Sequence, residues 1–268
     1  MTEEPVLLTA DSGGVRTITL NRPHRKNAIT WAMWAQLRDL LREAAHDRSV
    51  RALVITGAGG AFCSGADVSS IADGHPAHKM RLLTEVALEL HELPKPTIAK
   101  VTGVAVGAGW NLALGCDLVV ATPQTRFCQI FSARGLSVDL GGSWLLPKLV
   151  GLQQAKRLTL LAEMIDAEQA RELNLVTYLV SGGEIDAFVD ELAARLAAGP
   201  PIALAQTKAL LNEGADRSLR DALAGEARAQ GVNFAGADAP EAFSAFAEKR
   251  DAQFTGGWLP AERETTHA

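Results

Sequence analysis

A cationic excess, paired cysteines, long apolar runs and the familiar nucleotide loops are all missing from this 268-residue chain. The formal net charge of −5 argues against a general nucleic-acid surface, because counterion release needs clustered Lys and Arg. A local basic patch toward a small anion stays open. Cys63, Cys116 and Cys128 have no metal-ligand spacing and cannot all pair within one chain, which points to a reduced, cytoplasmic protein. No segment approaches the ~18 uninterrupted apolar residues of a membrane span. The opening stretch carries acidic residues and a Gly-Gly pair, unlike a secretory signal or an Arg-rich transit peptide. There is no P-loop, no Gly-x-Ser-x-Gly elbow and no His-Glu-x-x-His. Gly57-Ala58-Gly59 and Gly107-Ala108-Gly109 each lack the third glycine of a dinucleotide fingerprint.

What is present is an ordinary globular composition, 47% hydrophobic and 21% charged, with length enough for a sizeable core. Residues 15–20 and 50–56 alternate or are rich in β-branched side chains and read as strands. A helix is expected over 31–45 with Thr30 as its N-cap. Residues 70–82 have weak periodicity and read as a mobile loop, with a helix over 80–92. A strand over 97–106, interrupted by Gly103, leads into a helix over 109–115 and a strand over 117–121. Helices follow at 152–162, 167–172 and 184–198, and residues 202–256 form several Ala-rich helices. Strand–helix alternation followed by a helical tail indicates α/β with an all-α appendage. The expected division is a core over 1–199 and a helical region over 200–268, parted by Pro200-Pro201.

Two stretches carry the chemistry. Phe62-Cys63-Ser64-Gly65-Ala66-Asp67 follows a strand and a glycine turn, so small residues leave amide N–H groups approachable. In Val104–Leu112 a strand gives way to a helix, whose N-terminal amides suit an oxyanion. The alternative reading is that such Gly and Ala residues only permit tight packing.

The runs LNRPHRKNAI (20–29), VRALVITGAGGAFCSGADV (50–68), KPTIAKVTGVAVGAGWNLALGCDLVVAT (95–122), GLSVDLGGSWLLPKLVG (135–151) and EAFSAFAEKRDAQFTG (241–256) resemble the enoyl-CoA hydratase/isomerase (crotonase) family from end to end. That resemblance implies a crotonase-like spiral of ββα turns and C-terminal helices that build a homotrimer or a dimer of trimers. It also implies an acyl-CoA substrate, with coenzyme A carried by the substrate and no other cofactor. Nothing in it calls for nucleic acid, membrane or metal. Residue by residue, it makes the backbone N–H groups of Ala66 and Ala108 the oxyanion hole. Lys26, Ala28, Gly65, Asp67 and Val68 match positions near CoA, and Lys249 matches a basic residue that approaches the nucleotide. For Lys26 and Lys249 a solvated surface is an equal reading.

At the two positions where the family's hydratases have glutamates, this chain has Asn111 and Phe131. Neither transfers a proton as a carboxylate does. Phe131, Trp110 and Trp144 suit an apolar acyl pocket or core packing. Asp139 lies eight residues after Phe131, among Val138, Leu140 and Trp144, where burial would raise its pKa toward working pH. Its surrounding run, SVDLGGSWLLP, looks most like the epoxide/oxepin isomerases of phenylacetyl-CoA degradation. The alternative is that Asp139 caps the following helix. Asp67 is expected to order its turn, Asp117 and Cys63 to be structural, and His91 to be exposed. His75 and His78 are candidates for a substrate entrance. The expected reaction is a 1,3-proton shift on an unsaturated acyl-CoA. Hydration, nucleophilic dehalogenation or acyl-CoA binding without catalysis are the alternatives.

Overall fold

The computed structural model describes residues 5–70, 74–214 and 216–259. The chain divides into two compact units, residues 1–197 and 198–268.

In the first unit, β1 (Leu7–Ser12) and β2 (Val15–Leu20) form an antiparallel hairpin about Gly13 and Gly14, both at positive φ. Parallel strands then add in register: β3 (Ala52–Gly57), β4 (Thr97–Val101), β6 (Leu118–Ala121) and β9 (Tyr178–Leu179). A smaller sheet joins β5 (Val104–Val106) to β7 (Arg126–Cys128) in parallel, and β7 to β8 (Met164–Asp166) antiparallel. The expected strand over 97–106 is thus two strands in different sheets. Gly103 is the cause: it sits at φ 66, and a Cβ there would lie 2.0 Å from the Gly60 carbonyl oxygen.

Both faces of the larger sheet are covered, as a parallel sheet requires. On β3, Leu53 and Ile55 join the main core with Trp34, Phe62 and Trp110. Val54 joins Ile98 and Val120 on the other face, beneath Ile185, Val189 and Ala193 of α6 (Ile185–Ala198). The helices that frame the site are α1 (Trp31–His46), α2 (Pro76–His91), α3 (Ala108–Leu114) and α4 (Gly142–Leu161). α5 (Ala167–Glu172) follows behind a capping box made by Asp166 and Gln169. α4 breaks at Gly151, whose φ of 74 separates two helical stretches.

One expectation is corrected outright. Residues 76–82 belong to α2, because Pro76 pre-sets the first helical φ and His75 Nδ1 accepts the Ala77 amide at 3.2 Å. Residues 71–73 of the expected loop lie outside the described residues.

The second unit packs α7 (Pro201–Gly214), α8 (Leu219–Ala235) and α9 (Asp238–Glu248). The segment after α9 folds back on it: Arg250 forks onto Glu241 at 2.6 and 2.9 Å, and Asp238 accepts the Thr255 and Gly256 amides. Among the described residues no helix is long and apolar enough to cross a membrane.

Candidate active site

Two backbone turns are brought side by side by one short parallel pairing. The Cys63 amide donates to Val104 O at 3.0 Å and the Val106 amide to Cys63 O at 2.9 Å, which sets Cys63 opposite Ala105. Three residues beyond each partner stand Ala66 and Ala108. The approach tolerates no larger residue at two points. A Cβ on Gly65, at φ 100, would lie 3.0 Å from Val106 O, and one on Gly109 would lie 2.6 Å from Cys63 O and Sγ.

Both alanine amides are left available by the local geometry. Ala66 bridges Ile29 in parallel, so the bonds run through its neighbours: Ile29 N to Gly65 O and Asp67 N to Ile29 O, each 2.9 Å. Its own N–H points the other way. Ala108 is the first residue of α3, and a first-turn amide has no intrahelical acceptor. Neither amide donates to another group among the described residues.

Asp67 holds the first turn in place. Its Oδ1 accepts the Ser69 hydroxyl at 2.7 Å and amide at 3.0 Å, and its Oδ2 accepts Arg22 Nη1 at 2.7 Å. The Ser69 hydroxyl, then the Arg22 guanidinium, hold its pKa down at about 2. Such a carboxylate stays ionised and does not shuttle protons near neutrality. Arg22 also donates to Ala28 O at 2.7 Å, and the Ser64 amide donates to Lys26 O at 2.9 Å. The structure therefore gathers Lys26, Ala28, Gly65 and Asp67 in one place. Lys26 and Val68 are exposed beside them, and Ala28 is half-buried. Lys249 lies in the second unit, at the left-handed end of α9.

The second turn leads to the two positions without a carboxylate. Phe131 is buried, its ring within 3.9 Å of where a Gly107 Cβ would stand. Asn111 lies one helical turn after Ala108 and is 1% exposed. Its Nδ2 donates to Asp139 O at 2.9 Å, while its Oδ1 accepts Gln129 Nε2 at 2.8 Å. The Asp139 backbone is thus tied to the same helix whose first amide is Ala108.

Asp139 itself is the acid that geometry singles out. Its Oδ1 is shut off from solvent and has no hydrogen-bond partner among the described residues. Burial drives the carboxyl up to about 6. The helix-cap alternative does not hold, because α4 is capped by Gly141, with no side-chain cap bond. Between them Leu140 is buried at φ 48, a left-handed conformation that strains a non-glycine residue. An apolar cavity of about 330 Å³ adjoins this loop, lined by Leu140, Gly141, Trp144 and Leu145 against Val86, Leu90 and His91. His91 is half-buried there rather than exposed, its ring edge-on to Trp144 at 5.1 Å. Trp110, by contrast, is core, packed on Phe127 at 5.1 Å.

Cys63 is fully buried, its thiol pushed up to about 12 by desolvation, which makes it a packing group. Asp117 accepts the Thr97 amide and hydroxyl and ties β4 to the entry of β6. His75 caps α2 and His78 lies in its first turn. No cluster of three or more His, Cys, Asp or Glu placed to hold a metal occurs among the described residues. Sequence reasoning passed over Gln129, placed His91 at the surface, and included Arg22 only within a run. The one available signal for Gln129 was a lone amide within the otherwise apolar FCQIF.

Comparison with known proteins adds a family match, two relatives and a solved structure. The family model described as enoyl-CoA hydratase/isomerase matches residues 10–257. The 1,2-epoxyphenylacetyl-CoA isomerase of Escherichia coli (strain K12) is 38% identical over 250 residues, covering 91% of this chain and 95% of its own. The short-chain-enoyl-CoA hydratase of Clostridium acetobutylicum is 34% identical over 242 residues, covering 89% and 93%. Among solved structures, an enoyl-CoA hydratase from Polaromonas sp. JS666 superposes with a TM-score of 0.88 at 33% identity, over 92% of this chain and 99% of that one.

Proposed function

The chain belongs to the enoyl-CoA hydratase/isomerase family, and from that premise we propose that it isomerises an unsaturated acyl-CoA by a 1,3-proton shift. The observation that carries this reading is the half-buried Asp139 carboxyl, its Oδ1 shut off from solvent and without a partner among the described residues and its pKa pushed up to about 6, in a chain with no acid at 111 or 131.

In this mechanism the thioester oxygen accepts hydrogen bonds from the Ala66 and Ala108 amides. The ionised Asp139 carboxylate takes the C2 proton of a 3-enoyl thioester; the C2–H electron pair moves into the carbonyl and gives a dienolate. The two amides hold the negative charge, each worth roughly 3 kcal/mol of transition-state stabilisation. Asp139 then returns the proton to C4, leaving the double bond at C2–C3 and the carboxylate regenerated. One base serves both steps, whereas hydration also needs a positioned water. A pKa near the working pH suits a group that must accept and then donate. The acyl group is assigned to the apolar cavity beside Leu140 and Trp144, and CoA to the surface of Lys26, Ala28, Gly65, Asp67 and Val68. Lys249 is read as a nucleotide contact, so Lys249→Ala should raise KM more than it lowers kcat. The assembly is proposed to be a homotrimer or a dimer of trimers.

Incubation of wild type and Asp139→Asn with 3-enoyl-CoA and 2-enoyl-CoA in deuterated water, followed by mass spectrometry, tests the reading. The expected outcome is conversion of 3-enoyl to 2-enoyl product, lost in the variant. Hydration of 2-enoyl-CoA by both proteins alike would instead make Asp139 structural and the protein a hydratase.

A further inference from the structure

The geometry points to Asn111 and Gln129 as positioning residues for Asp139, a buried two-amide chain that fixes the backbone of the loop carrying the acid. The inference deepens the proposed function and rests on Asp139 being the base.

The hydrogen-bond directions are forced. Asp139 O can only accept, so Asn111 must present its Nδ2, and this turns its Oδ1 toward Gln129. That oxygen needs a donor, so Gln129 presents Nε2. Both side chains are nearly solvent-free, at 1% and 0% exposure, and Asn111 also borders the apolar cavity. The Gly142 amide donates to the same Asp139 oxygen at 3.0 Å, so both of its lone pairs are engaged. A Cβ on Gly142 would lie 2.4 Å from Asn111 Nδ2, so the loop is also closely packed against this amide.

A carboxylate at 111 could not do this. It would only accept, and would set a negative charge against a carbonyl oxygen. The amide instead anchors the loop, adds no charge beside the acid, and leaves burial to set its proton affinity. No charged neighbour contributes to the raised titration of Asp139; its cause is desolvation. The titratable group that α2 brings to the adjoining cavity is His91, which is turned edge-on to Trp144, and the Lys148 ammonium of α4 lies 4.2 Å over that same ring. The anchoring also offsets strain. Leu140 at φ 48 would relax if the peptide before it were free to turn, and the carboxyl would swing with it.

The test uses the full-length chain with Asn111→Ala, Gln129→Met and both together. Its first readout is the titration of the Asp139 carboxyl by NMR with carboxyl-labelled aspartate, assigned against Asp139→Asn. Its second is kcat and KM for 3-enoyl-CoA. Positioning predicts that the Asn111→Ala carboxyl titrates about a unit or more below wild type, as the freed loop reaches water. It predicts a kcat lower by about 10–100-fold with KM within about threefold. Gln129→Met should show the same changes at smaller size, and the double variant should be no worse than Asn111→Ala, because the two act in series. If Asn111→Ala does not fold, Gln129→Met alone decides by its titration. An unmoved titration with unchanged kcat and only a lowered Tm overturns the inference, as does strict additivity in the double variant. An inactive Asp139→Asn with unmoved titrations removes positioning alone. An Asp139→Asn variant of full activity removes the catalytic reading, and the titration shift then still reports whether the amides set the loop.

Discussion

Asp67 and Asp139 flank the paired turns and are pushed in opposite directions. Asp67 is drawn down to about 2 by the Ser69 hydroxyl and the Arg22 guanidinium. It adds stability above the unfolded pKa near 4, and that contribution is lost as pH falls toward 2. Asp139 is raised to about 6 by burial, so the folded protein binds its proton more tightly than the unfolded chain does. The Asp139 contribution is therefore most favourable below about 4, declines as pH rises through the window from about 4 to 6, and carries its full cost above it. The cost is up to about 3 kcal/mol from a shift of that size. Asp139→Asn should accordingly raise Tm at pH ~8 and have little effect at pH ~4, measured by thermal unfolding across that range. A variant that is no more stable than wild type at the higher pH would mean the carboxyl is better solvated than its burial implies. Such a stability cost is expected of a group retained for chemistry.

At the scale of elements, the site depends on close approach more than on any one hydrogen bond. Gly142→Ala would drive a methyl into Asn111 Nδ2 at 2.4 Å and Val138 Cγ1 at 2.6 Å. It should lower stability by about 1–3 kcal/mol and depress turnover further, as equilibrium unfolding and kinetics would show. The strands of the larger sheet were legible because β-branched alternation is a local signal: β2, β4 and β6 lie within the stretches it marks, and β3 overruns its stretch only by Gly57. The elements that escaped are those fixed by non-local contact. β1 buries only Leu7 and exists because a Gly-Gly turn returns it onto β2. β5 leaves the sheet of β4 because Gly103 has no room for a side chain. α2 begins early through a histidine cap, which is not among the common N-cap residues. The first half of α4 contains Gly142 and Pro147, which in sequence argue against a helix.

At the scale of the whole chain, the family and the position of both turns could be read from ordered motifs, and the apolar surroundings of Asp139 already suggested burial. The amide chain could not be read, because Gln129, Asn111 and Asp139 are separated by 18 and 28 residues and meet only once α3 and the 139–142 loop are packed. The proposed homotrimer or dimer of trimers needs a subunit contact. In the second unit Leu211, Phe234, Phe243 and Phe246 are exposed, an apolar surface a subunit contact would cover. Sedimentation velocity should give a mass that is a multiple of three chains; a stable monomer would overturn the assembly and leave that surface unexplained. The most direct test of the central claim, one half-buried carboxyl acting as the base, is the pH dependence of kcat/KM for 3-enoyl-CoA isomerisation between about pH 4.5 and 8. A single ionisation with its midpoint near the Asp139 value of about 6, and a tenfold loss per pH unit below it, is predicted. A rate that stays level down to the acid end of that range would contradict it.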